Sequence, residues 1–378
     1  MAPDGRASST VAIVQPFVPT YRAPLFDALA DEMRQRGLTL EVWHDQPRGR
    51  VAARGNATSG PWSVPIKQRR LSVRGRNVTY RPVVRDARKA ALVVAGLASG
   101  NVETYALAAD RRVRLALWGH GRNFTAANNP VDAALEGWLI KRSRHVFVYT
   151  AAGAAHLEQS GVDPDKLSVV RNSTDTKAVV DARGSSSPES ARRSVVTWPA
   201  DGERVGLFVG AYDVSKRLPF LFESADLIHA GDPGFRLWVA GDGPERSYVA
   251  AQVEQRSRWC RLLPRLSPDD LGAISHLVDV VLMPGRVGLV AADALAMGVP
   301  IATTRHDFHA PEVEYLDEST SLWSDAEPQA YASLVSDYLG DGRRQETVRE
   351  AARAAVRDIS VEAAAQRFAR GIDRALDR

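Results

Sequence analysis

The chain has 378 residues, of which 44% are hydrophobic and 25% charged, with a formal net charge of +4. This is the composition of a globular protein, and its length exceeds one core of usual size, so we expect two domains. No run of about 18 apolar residues occurs, and residues 1–10 lack a signal-peptide pattern, so we expect a cytosolic protein without a membrane span. One cysteine excludes an internal disulfide, and the eight histidines lack zinc-binding spacing, so we expect no protein-built metal centre.

The first half of the chain alternates short apolar runs with longer helical patterns, which is typical of βαβ units and parallel sheets. Helices are predicted near residues 22–36, 101–110 and 131–142. The predicted strands are residues 10–15, 38–44, 91–96, 113–119 and 145–150.

A second alternating series begins at residues 166–172. Its further strands are predicted at 204–212, 235–243, 260–266, 278–284 and 300–304. Its helices are predicted near 217–230, 244–256 and 268–275 and from about 289. Residues 181–194, rich in Ser and Arg, predict a flexible connection or a surface loop. The pattern therefore predicts an α/β protein with two doubly wound domains in tandem, and its default ligand site is a cleft between them.

The charge is distributed unevenly along the chain. Residues 1–171 carry a net charge of +11 and residues 172–378 one of −7. Two interpretations stay open: a solvated face, or a surface that meets anionic lipid or a phosphorylated acceptor. Nucleic acid is disfavoured because no binding motif accompanies the charges and few aromatic residues do. The basic residues from 67 to 122 are Lys67, Arg69, Arg70, Arg74, Arg76, Arg81, Arg85, Arg88, Lys89, Arg111, Arg112, Arg114 and Arg122.

The stretch MPGRVGLVAADALAMGVPIATT, residues 283–304, holds a candidate phosphate site. It follows a predicted buried strand, and Gly285 and Gly288 allow the backbone to approach a ligand closely. The helix predicted over 289–297 would present free N–H groups to an anion. Asp293, one turn into that helix, is placed to accept hydrogen bonds from the paired hydroxyls of a ribose. The alternative is a tight strand-to-helix connection in which Asp293 only complements the helix dipole.

This stretch resembles the nucleotide-sugar domain of retaining glycosyltransferases of family 4, whose pattern is P-S-x-x-E-G-F-G-L-V-x-L-E-A-x-A-x-G-x-P-V. Residues 209–217, 237–245 and 169–176 resemble further motifs of that family, so the resemblance covers about 160–320 well and the first half weakly. The residues in register with the pattern are Pro284, Gly288, Leu289, Val290, Asp293, Ala294, Ala296, Gly298 and Pro300.

The resemblance implies a GT-B fold, in which two tandem Rossmann-like domains face each other across a cleft. Residues 1–171 would form the acceptor-side domain and residues 172–355 the nucleotide-sugar domain, and 356–378 would form a helix that packs back on the first. The amides of Gly288, Leu289 and Val290 would hold the donor diphosphate. Lys216 would neutralise a phosphate, and Asp293 would bind the ribose.

The chain departs from the family at two donor positions. Gly285 replaces the first Glu of the family's carboxylate pair, and Ala211 replaces an Arg that contacts phosphate. Arg286, beside the missing carboxylate, is a candidate to restore positive charge, or else a solvent-exposed loop residue. His309 or Glu312 is a candidate for the lost sugar contact, although Glu312 also fits a plain acidic helix start after a proline.

In the first half, His120 is the candidate catalytic residue. It follows a predicted strand between two glycines, and its position is similar to that of the family's active-site histidine. Tyr21 and Arg22, which follow the first predicted strand, are acceptor-side or phosphate candidates. Arg22 equally fits the start of the next helix.

The sequence thus predicts a metal-independent retaining glycosyltransferase, hexosyltransferase-like and without a cofactor, whose donor substrate is a nucleoside-diphosphate sugar. The acceptor would be a hydroxyl of a glycan, glycolipid or lipid-linked intermediate in polysaccharide biosynthesis, reached from the inner face of the cytoplasmic membrane. A catalytically silent nucleotide-sugar-binding subunit stays an alternative. A GT-B nucleotide-sugar epimerase is disfavoured, because no match to its acidic catalytic residues occurs. A dinucleotide oxidoreductase is disfavoured too, because no G-x-G-x-x-G follows the first strand.

Overall fold

The computed structural model describes residues 9–47, 57–73, 76–121, 130–194 and 202–378. The chain divides into two compact units, the first formed by Met1–Asn172 with Val361–Arg378 and the second by Ser173–Ser360. The chain therefore enters the second unit one residue later than predicted and leaves it five residues later.

The first unit is built on a parallel sheet, which has seven strands in the described residues and the order β3-β2-β1-β6-β7-β8-β9. A separate antiparallel hairpin, β4-β5, lies among the basic residues listed between positions 67 and 122 and was not predicted. The strands are β1 Thr10–Gln15, β2 Thr39–His44, β3 Ser63–Pro65, β4 Arg69–Val73, β5 Arg76–Tyr80, β6 Leu92–Gly96, β7 Leu115–Gly119, β8 His145–Val148 and β9 Leu167–Val169.

The second unit contains a parallel sheet of six strands within the described part of the chain, in the order β12-β11-β10-β13-β14-β15. Numbered within the unit this is 3-2-1-4-5-6, the order of dinucleotide-binding Rossmann sheets. The strands are β10 Arg204–Ala211, β11 Phe235–Asp242, β12 Cys260–Leu263, β13 Val280–Leu282, β14 Ile301–Thr304 and β15 Ser321–Ser324.

Helices connect most of the parallel strands in both units, as connections between parallel strands usually do. In the first unit they are α1 Ala23–Gln35, α2 Val84–Ala87, α3 Val102–Ala109, α4 Pro130–Arg142 and α5 Ala151–Gln159. In the second unit they are α6 Thr176–Ser185, α7 Pro188–Ser194, α8 Leu218–Gly231, α9 Arg246–Gln255, α10 Pro268–Ile274, α11 Val290–Met297, α12 Pro328–Gly340 and α13 Gly342–Ala355. The last helix, α14 Val361–Asp377, belongs to the first unit.

The first sheet is covered on both faces, because alternate residues of each strand point to opposite sides. Along β1, Val11 and Ile13 join one apolar cluster while Ala12 and Val14 join the other. α14 closes the first of these faces: Phe368 stacks on Phe147 of β8 with ring centroids 4.2 Å apart. Gly371 permits this approach, because a Cβ there would lie 2.3 Å from the Phe147 ring.

The prediction of a flexible connection over residues 181–194 was wrong. These residues continue α6 and form α7, both inside the second unit. The Asp175 carboxylate caps α6 by accepting a hydrogen bond from the N–H of Ala178, and Val179 is buried. α6 also packs tightly on α10, since a Cβ at Gly272 would lie 2.3 Å from the Val179 carbonyl oxygen. Burial of one helix face therefore outweighs the polar composition.

Each sheet has a point at which the strand order reverses, and ligands of such sheets bind outside the carboxyl ends of the strands there. In the second sheet this point lies between β10 and β13, so the loops at 212–217 and 283–289 meet there. In the first sheet it lies between β1 and β6, and the loop after β1 carries Tyr21 and Arg22.

Candidate functional site

In the second unit, the turn after β13 is held against the loop after β10. A Cβ at Gly285 would lie 2.4 Å from the carbonyl carbon of Lys216 and 2.5 Å from the Ser215 oxygen. The Arg286 N–H donates to that same Ser215 oxygen at 2.8 Å, and Lys216 Nζ donates to the Arg286 carbonyl at 2.6 Å. Position 285 therefore has no room for a side chain. The chain lacks the carboxylate that the family has at this position, and the backbone leaves no space in which one could fit.

The turn leads into α11, whose first turn carries no side-chain cap. The helix begins at Val290, one residue later than predicted, with Leu289 at the N-cap. Because the first N–H groups of any helix lack intrahelical partners, this end can donate hydrogen bonds to an anion. Gly298 ends the helix in the left-handed conformation, with φ of 65°, as its position after the helix predicts.

Asp293 lies in the first turn of α11 among buried apolar neighbours. The buried Thr174, just past the junction of the units, donates its hydroxyl to Asp293 Oδ1 at 2.7 Å. Burial raises the pKa of Asp293 to about 6, and the Thr174 hydrogen bond lowers it in part. The Thr174 hydrogen bond thus holds the carboxylate of Asp293 through Oδ1.

The loop after β14 is fastened to the turn by His309. Its Nδ1 accepts from the Val287 N–H at 3.1 Å, so its Nε2 carries the proton and donates to the Thr304 carbonyl at 2.8 Å. Burial lowers the pKa of His309 to about 4. His306 stacks on this ring with centroids 3.8 Å apart. Both nitrogens of His309 therefore serve the backbone, and its effect on a ligand would be through loop position.

Glu312 is buried at 5% exposure, on a short 3-10 helix over Pro311–Tyr315. Burial lowers the pKa of Lys216, and the carboxylates of Asp213 and Glu312 raise it in part, while Arg286 lowers it further. Asp213, Arg286 and Glu312 are thus all close enough to Lys216 to act on its charge.

Three residues near this point were missed by the sequence analysis. Arg217 has φ of 53°, a left-handed conformation that costs a non-glycine residue about 1 kcal/mol or more, and its guanidinium donates to Thr304 Oγ1 at 3.3 Å. Val214 and Phe308 are 81% and 79% exposed, on the two loops that flank the turn. Nothing in their local sequence distinguishes an exposed apolar residue from a core one.

In the first unit, Arg22 lies at the end of a short 3-10 helix over Thr20–Arg22, in the loop after β1. Its guanidinium lies 4.9 Å from the centroid of the Trp118 ring, a cation–π contact. It donates to Gln15 Oε1 at 3.3 Å, and to the hydroxyls of Tyr21 and Tyr149 at 3.3 and 3.4 Å. Gln15, Trp118 and Tyr149, at the ends of three strands, were not predicted as site residues.

His120 is exposed, directly after β7, and its ring centroid lies 4.7 Å from that of Tyr149. The turn around it packs on α5: a Cβ at Gly153 would lie 2.3 Å from the His120 carbonyl oxygen. Gly121 has φ of 72°, and a Cβ at this position would in turn collide with the backbone carbonyl of Gly153. The first unit therefore brings Tyr21, Arg22 and His120 together around Tyr149, while the other predicted site residues lie in the second unit.

Other reactive groups are few in the described residues. Among them no group of three or more His, Cys, Asp or Glu side chains is placed to hold a metal ion. Cys260 is buried, and burial raises the pKa of its thiol to about 12, so the thiol is not a nucleophile at neutral pH. Within the same described residues, no helix is both long and apolar enough to cross a membrane.

Two family models match the chain, one in each half. The model described as Glycosyltransferase Family 4 matches residues 25–178, and the model described as Glycosyl transferases group 1 matches residues 203–341. The search of curated proteins found no match.

Solved structures share the fold over nearly the whole chain. A glycosyltransferase from Rickettsia africae superposes with a TM-score of 0.69 at 13% identity, covering 96% of this chain and 97% of that one. Sucrose-phosphate synthase from Thermosynechococcus elongatus gives 0.66 at 16% identity, with 96% and 98% covered. The Anabaena protein HepE, solved with UDP, gives 0.65 at 14% identity, with 97% and 99% covered. At these identities the likeness shows the GT-B fold.

Proposed function

Since the chain belongs to the family 4-like glycosyltransferases of the GT-B fold, we propose that it transfers a sugar from a nucleoside-diphosphate donor to a hydroxyl, with retention at the anomeric carbon. The acceptor that we propose is a glycan, a glycolipid or a lipid-linked intermediate. The observation that carries the proposal is the contact of Lys216 with the turn into α11, at the switch point of the second sheet.

Donor binding in this proposal uses groups that are already positioned. The amides of Gly288, Leu289 and Val290 donate to the diphosphate, and Lys216 supplies a positive charge beside it. Asp293 Oδ2 accepts from a ribose hydroxyl. The complex of Anabaena HepE with UDP supports a nucleotide donor for a chain of this fold.

The proposed chemistry breaks the bond from the anomeric carbon to the diphosphate oxygen and forms a bond to the acceptor oxygen on the same face. The acceptor proton passes to the departing diphosphate oxygen, so the step is balanced without a protein base. Negative charge grows on the diphosphate, and Lys216 with the α11 amides stabilises it. This scheme uses no metal ion and no cofactor.

The donor-sugar contact is assigned to Glu312, because position 285 cannot hold a carboxylate. Glu312 is buried and within electrostatic reach of Lys216. His309 contributes by fixing the loop that precedes Glu312, and Arg286 adds positive charge near the diphosphate.

The acceptor side is assigned to the first unit. His120, exposed at the end of β7 and beside Tyr149, is the proposed catalytic contact to the reacting sugar or hydroxyl. Tyr21 and Arg22 are proposed to bind the acceptor, since the guanidinium is oriented by Gln15 and Tyr149.

The experiment that tests this function is a thermal-shift screen with nucleoside diphosphates and nucleotide sugars, followed by NMR of the best donor with the protein. A ligand at 100 times its dissociation constant stabilises by about 2.7 kcal/mol. Transfer from an α-linked donor should form an α-glycoside of the acceptor, and slow hydrolysis should release the α-anomer of the free sugar first. Binding without release would instead indicate a catalytically silent subunit. Conversion to the 2-epimer would indicate an epimerase, and initial release of the β-anomer would overturn retention.

We also propose that the protein attaches peripherally to the inner face of the cytoplasmic membrane, where a lipid-linked acceptor lies. The support is the basic first half, because each Lys or Arg near an anionic leaflet contributes about 1 kcal/mol. Arg81 does not contribute, since it is buried against Glu103. Arg74, Arg122 and the Arg76 side chain lie outside the described residues. Of the basic residues from 67 to 122, the exposed ones in the described part of the chain are Lys67, Arg69, Arg70, Arg85, Arg88, Lys89, Arg111, Arg112 and Arg114.

Vesicle co-sedimentation tests this attachment. Binding should require anionic lipid and weaken as salt is raised, because screening reaches about 10 Å at 0.1 M. Arg69→Glu with Arg70→Glu should weaken binding, whereas Arg343→Glu with Arg344→Glu, the same change on exposed residues of the second unit, should not. If the protein does not bind anionic vesicles even at low salt, the proposed attachment is wrong. The acceptor is then soluble, and the basic face is only a solvated surface.

A further inference from the structure

A line of apolar side chains on α4 of the first unit is open to solvent. Val131, Leu135 and Trp138 are 59%, 38% and 38% exposed. Their spacing of four and then three residues places them on one side of the helix, and Arg142 continues the same line one turn later. We call these four residues the α4 stripe.

The exposed apolar surface continues beyond the α4 stripe. The ring of Tyr105 on α3 stacks with Trp138 at a centroid distance of 6.2 Å, and Val102 on the same helix is 41% exposed. Tyr80, on the strand β5 that packs against α3, is 40% exposed. Isolated exposed apolar residues are normal and need no explanation. Here the exposed apolar residues are instead concentrated on three neighbouring elements, α4, α3 and β5.

Positive charge accompanies this surface. The Arg142 guanidinium lies 5.3 Å from the centroid of the Trp138 ring. Arg69, exposed on β4, pairs across the hairpin with Tyr80. The acidic residues Asp132 and Glu136 line a cavity with Ile140, which points away from the α4 stripe. Both carboxylates are nevertheless close enough to add to the effect of burial in raising the pKa of Tyr105, so the positive charge lies at the Arg142 end of the stripe and beside Tyr80.

We propose that the α4 stripe docks on an anionic phospholipid surface. Val131 and Leu135 enter the boundary between headgroups and acyl chains, Trp138 lies at headgroup depth, and Arg142 contacts the phosphates. Exposed Trp and aliphatic side chains favour the boundary between headgroups and acyl chains, and an Arg beside them can extend to the phosphates. The inference rests on the proposed membrane attachment, which was motivated by charge alone, and it assigns the contact to one face.

The experiment is flotation of the full chain with vesicles of phosphatidylcholine alone or mixed with phosphatidylglycerol. Leu135→Glu should weaken binding to the mixed vesicles by about tenfold or more, because a charge replaces a buried apolar contact. Leu262→Glu is the matched control, since Leu262 is 37% exposed on β12 of the second unit, and it should bind as the unmodified protein does. Trp138→Ala should weaken binding, and Trp138→Phe should retain most of it.

Unchanged vesicle binding by both Leu135→Glu and Trp138→Ala would overturn the inference. The inference would also be overturned if these two variants lost a dimer that the unmodified protein forms in analytical ultracentrifugation while their vesicle binding stayed intact. The α4 stripe would then be a contact between copies of the chain. Circular dichroism of each variant distinguishes loss of docking from loss of the fold. Nucleotide-sugar binding is measured without vesicles, so failure of the proposed donor function is seen separately from failure of docking.

Discussion

The hydroxyl of Thr174 donates to Oδ1 of Asp293 at 2.7 Å, which ties the start of the second unit to the first turn of α11. This contact uses one carboxylate oxygen and orients the other. The family pattern has the longer Glu at the position of Asp293. In this chain the Thr174 hydrogen bond fixes the position of the shorter carboxylate. Ribose recognition in our proposal depends on this pair.

Asp293→Ala should weaken nucleotide-sugar binding by about 1.5–3 kcal/mol, or roughly 10- to 150-fold, the range for hydrogen bonds to a charged group. Calorimetric titration measures the change. Asp269→Ala, which removes an exposed carboxylate from α10 of the same unit, serves as the control and should bind normally. Equal affinities for the two variants would remove Asp293 from the ribose site.

Nucleotide-sugar affinity should depend on pH through Asp293. Burial raises the pKa of this carboxyl to about 6, so the ionised acceptor forms as pH rises through 6 and affinity should increase to a plateau above it. Thr174→Val keeps the side-chain shape but removes the hydrogen bond that lowers this pKa, so the midpoint should move to higher pH. A nucleotide sugar is the proper ligand, because its diphosphate diester does not titrate in this range. Identical pH profiles for both proteins would contradict the linkage.

The alternation of apolar runs predicted most strands of both sheets, because buried parallel strands have a local pattern that survives any packing. It missed β3 and β15, and it placed β9 at the start of the second series, whereas β9 pairs with β8 in the first sheet. It failed at α6 and α7, whose polar sequence becomes helical by packing on α10. Motif spacing singled out Lys216 and Asp293 as site candidates, which stay predictions, but it gave no indication of Thr174 or Tyr149. These last two act through partners more than 100 residues away in sequence, and one sequence contains no signal for such contacts.

Gly285→Ala should destabilise the second unit by about 1–3 kcal/mol, because the new Cβ meets the rigid backbone of Ser215 and Lys216. Gly288→Ala is the matched comparison: its Cβ would lie 3.6 Å from that of Ala310, an ordinary contact, and should cost less. Differential scanning calorimetry measures both. Gly285→Glu, which restores the family residue, should be at least as destabilised and no more active. A stable and more active Gly285→Glu protein would mean that the turn adapts.

Lys216→Met should reduce kcat/KM by about 10²–10³, the usual loss when one donor to a developing charge is removed. The variant also loses the hydrogen bond to the Arg286 carbonyl, so its melting temperature is measured alongside. The discriminating measurement is ligand affinity: loss of a phosphate contact weakens nucleoside diphosphate binding and spares the nucleoside. Equal weakening of both ligands would mean that Lys216 only supports the turn.

His120→Ala should lower turnover at least about tenfold, which corresponds to about 1.4 kcal/mol of barrier, while nucleotide affinity stays within about twofold. The reason is that His120 lies in the first unit, beside Tyr149, which in turn accepts a hydrogen bond from Arg22, whereas the nucleotide is assigned to the second unit. Tyr149→Phe, which keeps the ring beside His120 but removes the hydroxyl bonded to Arg22, should raise the acceptor KM more than it lowers kcat. His156→Ala, an exposed histidine on α5 of the same unit, is the control and should leave both constants unchanged. Full turnover by the His120→Ala protein would mean that this histidine has no catalytic role and that only the turn it belongs to matters, through its packing against Gly153.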